Sequence, residues 1–364
     1  MEELREALSN FAFGGEFVSV KEFGSGHINK TYIAKYKIGS EEQKYVVQKV
    51  NNGVFKNVDE LMDNVFAVTS YLRSIIRENG GDENRETLHF IKTVDGEKFY
   101  RCADGSFYRA YVFVKDSVSF DFAENSEMFK SSGIAFGRFQ KMLENFDADS
   151  LYETIENFHN TYWRYENEFV PALEMDVKDR AKNCKDVIDF IKSRKDKMSI
   201  LVDLIEQGKL PLRVTHNDTK LNNVMFDEKT LQCVCVIDLD TVMPGLALYD
   251  FGDAIRFGAN TALDDEKDLS KVSINLDYFK AFAEGFLSEC GDTLNQCEKD
   301  YLAFSAWLLT VELVMRFLTD YLNGDVYFKT NYSDHNLVRA RNQMKLALSM
   351  EEHMEEMEEI IKSI

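Results

Sequence analysis

A polar loop followed by a hydrophobic hairpin is the feature that most constrains how this chain can fold. Residues 216–223 are polar and lack a sustained apolar period, so they predict a loop. Residues 224–226 and 233–237 are β-prone and flank a turn-like segment, which predicts an antiparallel hairpin. Because a hairpin returns the chain to its starting point, Asn223 and Asp238 are expected together at its open end.

The polar residues around this hairpin are those that phosphoryl transfer requires. That reaction needs a carboxylate to receive the proton of the acceptor hydroxyl and oxygen ligands to hold Mg²⁺ against nucleotide phosphates. Asp218 is the candidate base, and Asn223 and Asp238 are the candidate metal ligands. Asp240 is either a further metal ligand or a cap of the hairpin. His216 is expected to support the loop.

Two stretches carry a resemblance to a known family. They are Thr215-His-Asn-Asp-Thr-Lys-Leu-Asn-Asn-Val224 and Val236-Ile-Asp-Leu-Asp-Thr-Val-Met-Pro-Gly-Leu-Ala-Leu-Tyr-Asp-Phe-Gly-Asp253. Their pattern resembles the aminoglycoside phosphotransferase and choline kinase superfamily, and their closer wording resembles its N-acetylhexosamine 1-kinase branch. The resemblance implies a bilobal, protein-kinase-like α+β fold. Its small N-terminal lobe has an antiparallel sheet, and its larger C-terminal lobe is mostly helical.

Length supports a division into two parts, because 364 residues exceed what a single core usually organises. A β-prone run at residues 108–114 precedes helical sequence, so we expect a hinge there. The expected parts are a nucleotide-binding lobe at 1–114 and a catalytic, acceptor-binding lobe at 115–364. The backbone of Phe113 and Val114 would contact the adenine edge.

A glycine-containing loop near the start is a candidate phosphate-binding element. Gly24, Ser25 and Gly26 lie between two β-prone runs, where glycine lets backbone N–H groups approach phosphate oxygens. The loop lacks the Gly-Lys-Ser/Thr of a Walker A loop. The prediction therefore depends on its position upstream of the loop at 216–223.

The third strand carries a candidate phosphate contact. By resemblance, Lys49 contacts the α- and β-phosphates of ATP, with Val47 on the same face against adenine. In the alternative facing, Gln48 points inward and Lys49 is a solvated edge charge. The resemblance also pairs the strand lysine with an acid of the following helix, either Glu60 or Asp63.

The candidate acceptor contacts also come from the resemblance, which assigns sugar binding to His27, Arg316 and Tyr327. Arg316 lies in an apolar helix, where an unpaired charge is costly. It either points into an acceptor cleft or pairs within its helix with Glu312 or Asp320.

Further support for the loop is expected from Asp250, as a buried acid that braces His216. Gly252 is expected to help the chain turn. The methionine-rich stripe at residues 349–361 is expected to pack onto the C-terminal lobe.

Composition narrows the partners and the location. A net charge of −20 disfavours nucleic acid, which rewards a basic surface. Six cysteines without metal-ligand spacing indicate reduced thiols. We see no secretory signal and no run of 18 apolar residues, so we expect a cytoplasmic protein without membrane attachment or an obligate protein partner.

The resemblance implies an ATP- and Mg²⁺-dependent kinase that phosphorylates the anomeric hydroxyl of N-acetylglucosamine or N-acetylgalactosamine. Lys220 would neutralise charge on the transferring group. An amino-alcohol or aminoglycoside acceptor is the alternative within the same enzyme class. A protein acceptor is disfavoured because the loop lacks His-Arg-Asp and no Ala-Pro-Glu segment follows. A nucleotide-binding regulator without turnover is disfavoured by the presence of Asp218, Asn223 and Asp238.

Overall fold

The computed structural model describes residues 2–23, 29–51 and 57–364. The chain forms two compact units. The first contains Met1–Ser119, Asn145–Ile155 and Val224–Pro244, and the second contains the remaining three segments, Phe120–Glu144, Glu156–Asn223 and Gly245–Ile364. An antiparallel sheet dominates the N-terminal part and helices dominate the C-terminal part, which confirms the predicted mixed α+β class.

The strands within the described residues include those predicted at 224–226, at 233–237 and within 108–114. They are β1 (Glu16–Glu22), β2 (Lys30–Ile38), β3 (Glu41–Val50), β4 (Phe90–Ile91), β5 (Tyr100–Arg101), β6 (Phe107–Val112), β7 (Ser117–Val118), β8 (Arg213–Thr215), β9 (Val224–Asp227), β10 (Cys233–Val236) and β11 (Met243–Gly245).

The α-helices differ widely in length. They are α1 (Glu2–Asn10), α2 (Val58–Glu78), α3 (Ser126–Met142), α4 (Thr161–Arg164), α5 (Val170–Met175), α6 (Lys185–Lys192), α7 (Ile200–Glu206), α8 (Ala247–Gly258), α9 (Leu276–Cys290), α10 (Gln296–Asp300), α11 (Leu302–Asn323), α12 (His335–Glu352) and α13 (Met354–Ser363).

The first unit is built on an antiparallel sheet with the order β1-β2-β3-β6-β4, and β5 also pairs with β6. Helix α1 covers one face of this sheet. Its apolar residues Leu4 and Leu8 are buried with Val47 of β3 and with Tyr108 and Ala110 of β6. This packing gives the face of β3 that carries Val47 a covered, apolar environment.

Helix α2 begins at an N-cap, Asn57, whose side chain accepts a hydrogen bond from the backbone N of Glu60. A buried asparagine then links α2 to more distant segments of the same unit. Asn64 donates to the backbone oxygens of Tyr152 (2.7 Å) and Val242 (3.0 Å), and it accepts from the backbone N of Tyr152 (2.9 Å). These bonds explain why segments distant in sequence belong to the first unit.

The second unit is a set of packed helices, in which α3 lies against α9 and α11 against α8 and α12. Glycine permits the closest approach: a Cβ on Gly285 of α9 would lie 2.2 Å from the backbone oxygen of Lys130 in α3. Helix α11 is long and apolar enough to cross a membrane by length and composition, but most of it is buried inside this unit.

Two local predictions need correction or refinement. Gly252 does not form a turn but lies within α8, where a Cβ would meet the backbone oxygen of Ser305 at 2.6 Å. The C-terminal stripe packs against α11 as predicted, but its helix is interrupted at His353.

Candidate active site

A buried carboxylate from α8 fixes the start of the loop at residues 216–223. Asp250 accepts hydrogen bonds from the backbone N of His216 (3.0 Å) and of Asn217 (2.7 Å). Gln140 of α3 donates its Nε2 to the same carboxylate at 2.8 Å. Burial raises the pKa of Asp250 above its ordinary value, and the His216 ring and these hydrogen bonds offset only part of that effect.

A second acid of α8 holds the next part of the loop. Asp253 accepts from the backbone N of Thr219 at 3.0 Å through Oδ2 and from Arg256 Nε at 3.0 Å through Oδ1. The Thr219 hydroxyl donates to the backbone oxygen of Asp250 at 2.6 Å. Burial by itself would raise the pKa of Asp253, but the positive charge of Arg256 outweighs it and the pKa lies below its ordinary value. One helix therefore supplies two acids that position the loop.

The candidate base lies between an ammonium and an amide. Lys220 Nζ is 2.6 Å from Asp218 Oδ1, and Asn223 Nδ2 donates to the backbone oxygen of Asp218 (2.8 Å) and approaches its Oδ2 (3.3 Å). His216 Nδ1 accepts from the backbone N of Asp218 at 3.2 Å. The Asp218 side chain is 28% exposed, so solvent or a substrate can reach it. Burial would lower the pKa of Lys220, but the negative charges of Asp218 and Asp253 outweigh this effect and raise the pKa.

The predicted hairpin is present, with Val224 of β9 opposite Val236 of β10. Asn223 directly precedes β9, and Asp238 follows β10 by one intervening residue. Both predicted ligands are therefore joined to the same end of one hairpin. Asp238 has a left-handed backbone (φ 59°), so the chain turns sharply as it leaves the hairpin.

Asp240 is engaged by a cation and an amide from the sheet. Arg109 of β6 forms a buried ion pair with Asp240 through Nη1, and Asn29 donates its Nδ2 to the other carboxylate oxygen at 2.7 Å. Gln48 of β3 accepts from Arg109 Nε at 2.9 Å. Burial would lower the pKa of Arg109, but Asp240 and, more weakly, Asp238 outweigh it and raise the pKa.

The chemistry of these donors can be tested against a magnesium ion. Asn223 directs its amide nitrogen at Asp218, which leaves its Oδ1 as the atom that could face a cation, and Asp238 provides a carboxylate. Both oxygens of Asp240 accept hydrogen bonds, one from Arg109 and the other from Asn29. No group of three His, Cys, Asp or Glu in the described ranges could hold a metal. Asn223 and Asp238 each carry oxygen atoms of the kind that Mg²⁺ binds.

The prediction that Lys49 shares an open face of β3 with the nucleotide is wrong in this structure. Lys49 Nζ pairs with Glu3 of α1 at 3.0 Å and with Asp104 at 3.8 Å, on the face of the sheet that α1 covers. Gln48 lies on the opposite face with Arg109, as the alternative reading had it. The predicted pairing with an acid of α2 is also not formed. Asp63 pairs with Lys98 instead, and the Glu60 backbone N is capped by Asn57.

Phe113 and Val114, which were predicted to contact adenine, directly follow β6. The backbone N of Phe113 donates to Lys44 O at 3.1 Å, and the backbone oxygen of Val114 accepts from the Ser117 hydroxyl at 2.8 Å. Val47 is fully buried beneath α1 and therefore does not line an open face. The predicted phosphate-loop residues Gly24, Ser25 and Gly26 and the predicted sugar ligand His27 lie outside the described residues.

A buried acid in α11 connects the loop at residues 216–223 with Arg316. His159 is within 3.2 Å of the backbone oxygen of Asn217 through Nε2 and within 3.0 Å of Glu312 Oε1 through Nδ1. Glu312 is fully buried and also lies 4.0 Å from Arg164 Nε and 3.8 Å from Arg316 Nη1. Burial would raise the pKa of Glu312, but its neighbours His159, Arg164 and Arg316 lower it below the ordinary value.

Arg316 therefore pairs with Glu312, one of its two predicted helix partners. Asp320, the other predicted partner, instead accepts from the backbone N of Tyr327 (2.8 Å) and of Phe328 (2.9 Å). The Arg316 guanidinium lies 5.8 Å from the Phe328 ring centroid. Tyr327 is exposed and its ring contacts that of Phe328. Tyr327 and Arg316 therefore both lie beside Phe328.

Sequence reasoning missed three functional candidates. Asp253 lies three residues after Asp250, and that helical spacing was a usable signal. Arg109 is a charged residue inside a β-prone run without a neighbouring acid in the sequence, and this pattern indicates a buried partner. His159 had no comparable signal, because its partner Glu312 is 153 residues away.

Solved structures of several kinases resemble this chain. A microcompartment-associated aminopropanol kinase matches with a TM-score of 0.60 at 14% identity, covering 97% of this chain and 97% of that chain. A spectinomycin phosphotransferase bound to ADP and spectinomycin matches at 0.52 and 14%, covering 96% and 98%. A choline kinase from Cryptosporidium parvum matches at 0.53 and 13%, covering 95% and 92%. At such low identity these similarities show the fold, which is that of the protein-kinase-like class predicted.

The model of the phosphotransferase enzyme family (APH) matches residues 19–269, well over half of the chain. The matched range includes the loop at 216–223, the hairpin and α8. The chain belongs to this phosphotransferase family.

Proposed function

We propose that this chain is an ATP- and Mg²⁺-dependent small-molecule kinase in which Asp218 is the base. The observation that carries the proposal is the setting of Asp218, which contacts Lys220 and Asn223 on a loop fixed by Asp250 and Asp253. A carboxylate held in this way can orient an acceptor hydroxyl and receive its proton.

The proposed reaction balances as follows. The acceptor oxygen forms a bond to the γ-phosphorus, the bond from that phosphorus to the bridging oxygen breaks, and ADP leaves with the bonding electrons. The acceptor proton passes to Asp218. Lys220 is placed to neutralise charge on the transferring group. Mg²⁺, when held by Asn223 and Asp238, would neutralise charge on the nucleotide phosphates.

For the acceptor, we propose the anomeric hydroxyl of an N-acetylhexosamine. The acid that lies behind the loop, Glu312, is already hydrogen-bonded to His159 and lies beside the guanidinium groups of Arg164 and Arg316. It is therefore a poor counter-charge for a cationic acceptor. Arg316 offers N–H donors, which suit hydroxyl or acetyl oxygens and would repel an ammonium group. Tyr327, exposed beside Phe328, would supply an additional contact.

An amino-alcohol is the second candidate acceptor. Two of the similar structures are described as an aminopropanol kinase and a choline kinase. A cationic acceptor would require carboxylates that are not already neutralised. That requirement separates the two candidates by chemistry.

The test is ADP release by the purified chain from MgATP with a panel of acceptors. The panel contains N-acetylglucosamine, N-acetylgalactosamine, glucose, choline, homoserine and kanamycin. We expect turnover with the N-acetylhexosamines and a phosphorus NMR signal of a sugar 1-phosphate. Turnover confined to choline or homoserine would overturn the sugar assignment, and turnover with no small molecule would contradict the kinase proposal.

A pair of arginine variants tests the acceptor site more sharply. Arg316→Gln should raise KM for the sugar by about tenfold, the effect of losing one good hydrogen bond to a charged group. Arg341→Gln is the matched control, because Arg341 pairs with Asp186 at the surface of the same unit. Equal KM values for the two variants would remove Arg316 from the proposed acceptor site.

A further inference from the structure

The first unit contains a buried guanidinium that the predicted machinery does not use. Arg109 is 2% exposed and is held by Asp240 on one side and by Gln48 on the other. Burying a charge is costly unless its partners compensate, and a neutral residue would fill the same place without that cost. A buried arginine paired with Asp240, two residues from the proposed metal ligand Asp238, therefore requires an explanation.

Lys49, the lysine predicted to contact the nucleotide phosphates, is engaged elsewhere in the same unit. A triphosphate is highly anionic and needs a nearby cation in addition to the metal. Lys49 cannot serve, because it lies on the face covered by α1 and pairs with Glu3. The neighbouring inward position on β3 is Gln48, which is neutral. Arg109 lies directly opposite Gln48 in the register of β3 and β6 and brings a positive charge to that face.

We propose that Arg109 is the cation that binds the nucleotide phosphates, and that Asp240 is its counter-ion rather than a magnesium ligand. The proposal rests on the proposed kinase function. Arginine carries five N–H donors in a planar fork, which suits phosphate. The hydrogen bonds of Arg109 within the described part of the chain use Nε and Nη1, so Nη2 can take a further acceptor.

The surroundings of Arg109 hold it in position for this role. Gln48 fixes Nε and itself donates to the Thr31 hydroxyl at 3.3 Å. Asn29 fixes the second oxygen of Asp240 and accepts from the backbone N of Asn51 at 2.9 Å. These neutral side chains orient the charged pair without adding charge, so the carboxylate of Asp240 at Nη1 and a phosphate at Nη2 would compete for the positive charge of the same guanidinium.

That competition predicts the direction in which ADP affinity changes when Asp240 is replaced. In Asp240→Asn the guanidinium loses its anionic competitor, so ADP should bind several-fold more tightly, measured by calorimetry in EDTA. In Arg109→Gln/Asp240→Asn the cation is removed without leaving a buried unpaired charge. ADP should then bind about tenfold to a hundredfold more weakly, the range expected for one charge-assisted hydrogen bond. Adenosine, which lacks phosphate, should bind the wild type and both variants equally.

Lys49→Gln is the matched control, because it removes a cation from the opposite face of the same sheet. We expect unchanged ADP affinity for it. A loss of ADP affinity in Lys49→Gln, or an unchanged affinity in the double variant, would overturn the role of Arg109 while leaving the kinase proposal intact. A wild-type chain that bound neither ATP nor ADP would overturn both proposals.

Discussion

Removing the Asp250 carboxylate should loosen the loop at residues 216–223 and destabilise the second unit. Asp250 is fully buried and accepts hydrogen bonds from the backbone N of His216, the backbone N of Asn217 and the side chain of Gln140. In Asp250→Ala these three donors lose their acceptor inside the protein.

The magnitude follows from the number of donors. Each buried donor left unsatisfied costs about 1–3 kcal/mol. Relief of the desolvation that raises the pKa of Asp250 offsets part of this cost. We therefore expect Asp250→Ala to lower the free energy of unfolding by about 3–5 kcal/mol, close to the usual cost of breaking a buried charged network. A loop shifted by about 1 Å would also reduce turnover by roughly a hundredfold.

Urea denaturation followed by tryptophan fluorescence provides the assay. Both tryptophans, Trp163 and Trp307, belong to the second unit, so their emission reports its unfolding. Asp292→Ala is the control, because its 72% exposed side chain pairs with Lys141 and should contribute less than about 1 kcal/mol. If Asp250→Ala and Asp292→Ala lost equal stability, the bracing role of Asp250 would be refuted.

Two further variants probe the helices of the second unit. Gly252→Ala places a Cβ 2.6 Å from the backbone oxygen of Ser305, so the melting temperature should fall with a loss of about 1–3 kcal/mol, although alanine favours a helix; a rise would show that the contact relaxes freely. Glu312 has a lowered pKa when folded, so its ionised form stabilises the protein above its ordinary pKa of about 4.3 and this contribution is lost as the pH falls. Glu312→Gln should therefore be less stable than wild type at pH 7, with a difference that shrinks below about pH 4 in urea titrations; a difference independent of pH would contradict this.

Local sequence patterns predicted the elements around the site. Alternation and turn residues located β9 and β10, and the apolar helix expected around Arg316 is α11. These signals are local, because strand pairing across a short turn and a helix face both depend on near neighbours. The loop at 216–223 and the residues that flank the hairpin followed from the same reasoning.

The facing of β3 could not be predicted from its own residues. Gln48 and Lys49 are both polar, so period two leaves either side chain able to face inward. The choice is made by α1, whose Leu4 and Leu8 cover the face that carries Val47. The residues of β3 and their sequence neighbours do not indicate that α1 packs there.

The charged networks were also beyond local reasoning. Arg109 and Asp240 are 131 residues apart, and His159 and Glu312 are 153 residues apart. Such pairs depend on tertiary packing. The same is true of Gly252, whose lack of a side chain serves the approach of α8 to α11 rather than a turn.

The most direct test of the central claim is the turnover of Asp218→Asn compared with its nucleotide affinity. The amide keeps the size of the side chain but cannot accept the acceptor proton. We predict that kcat with the best acceptor falls by about 10²–10⁴-fold, the usual contribution of a general base, while ADP affinity stays within about twofold of wild type. Near-normal turnover in Asp218→Asn would contradict the account.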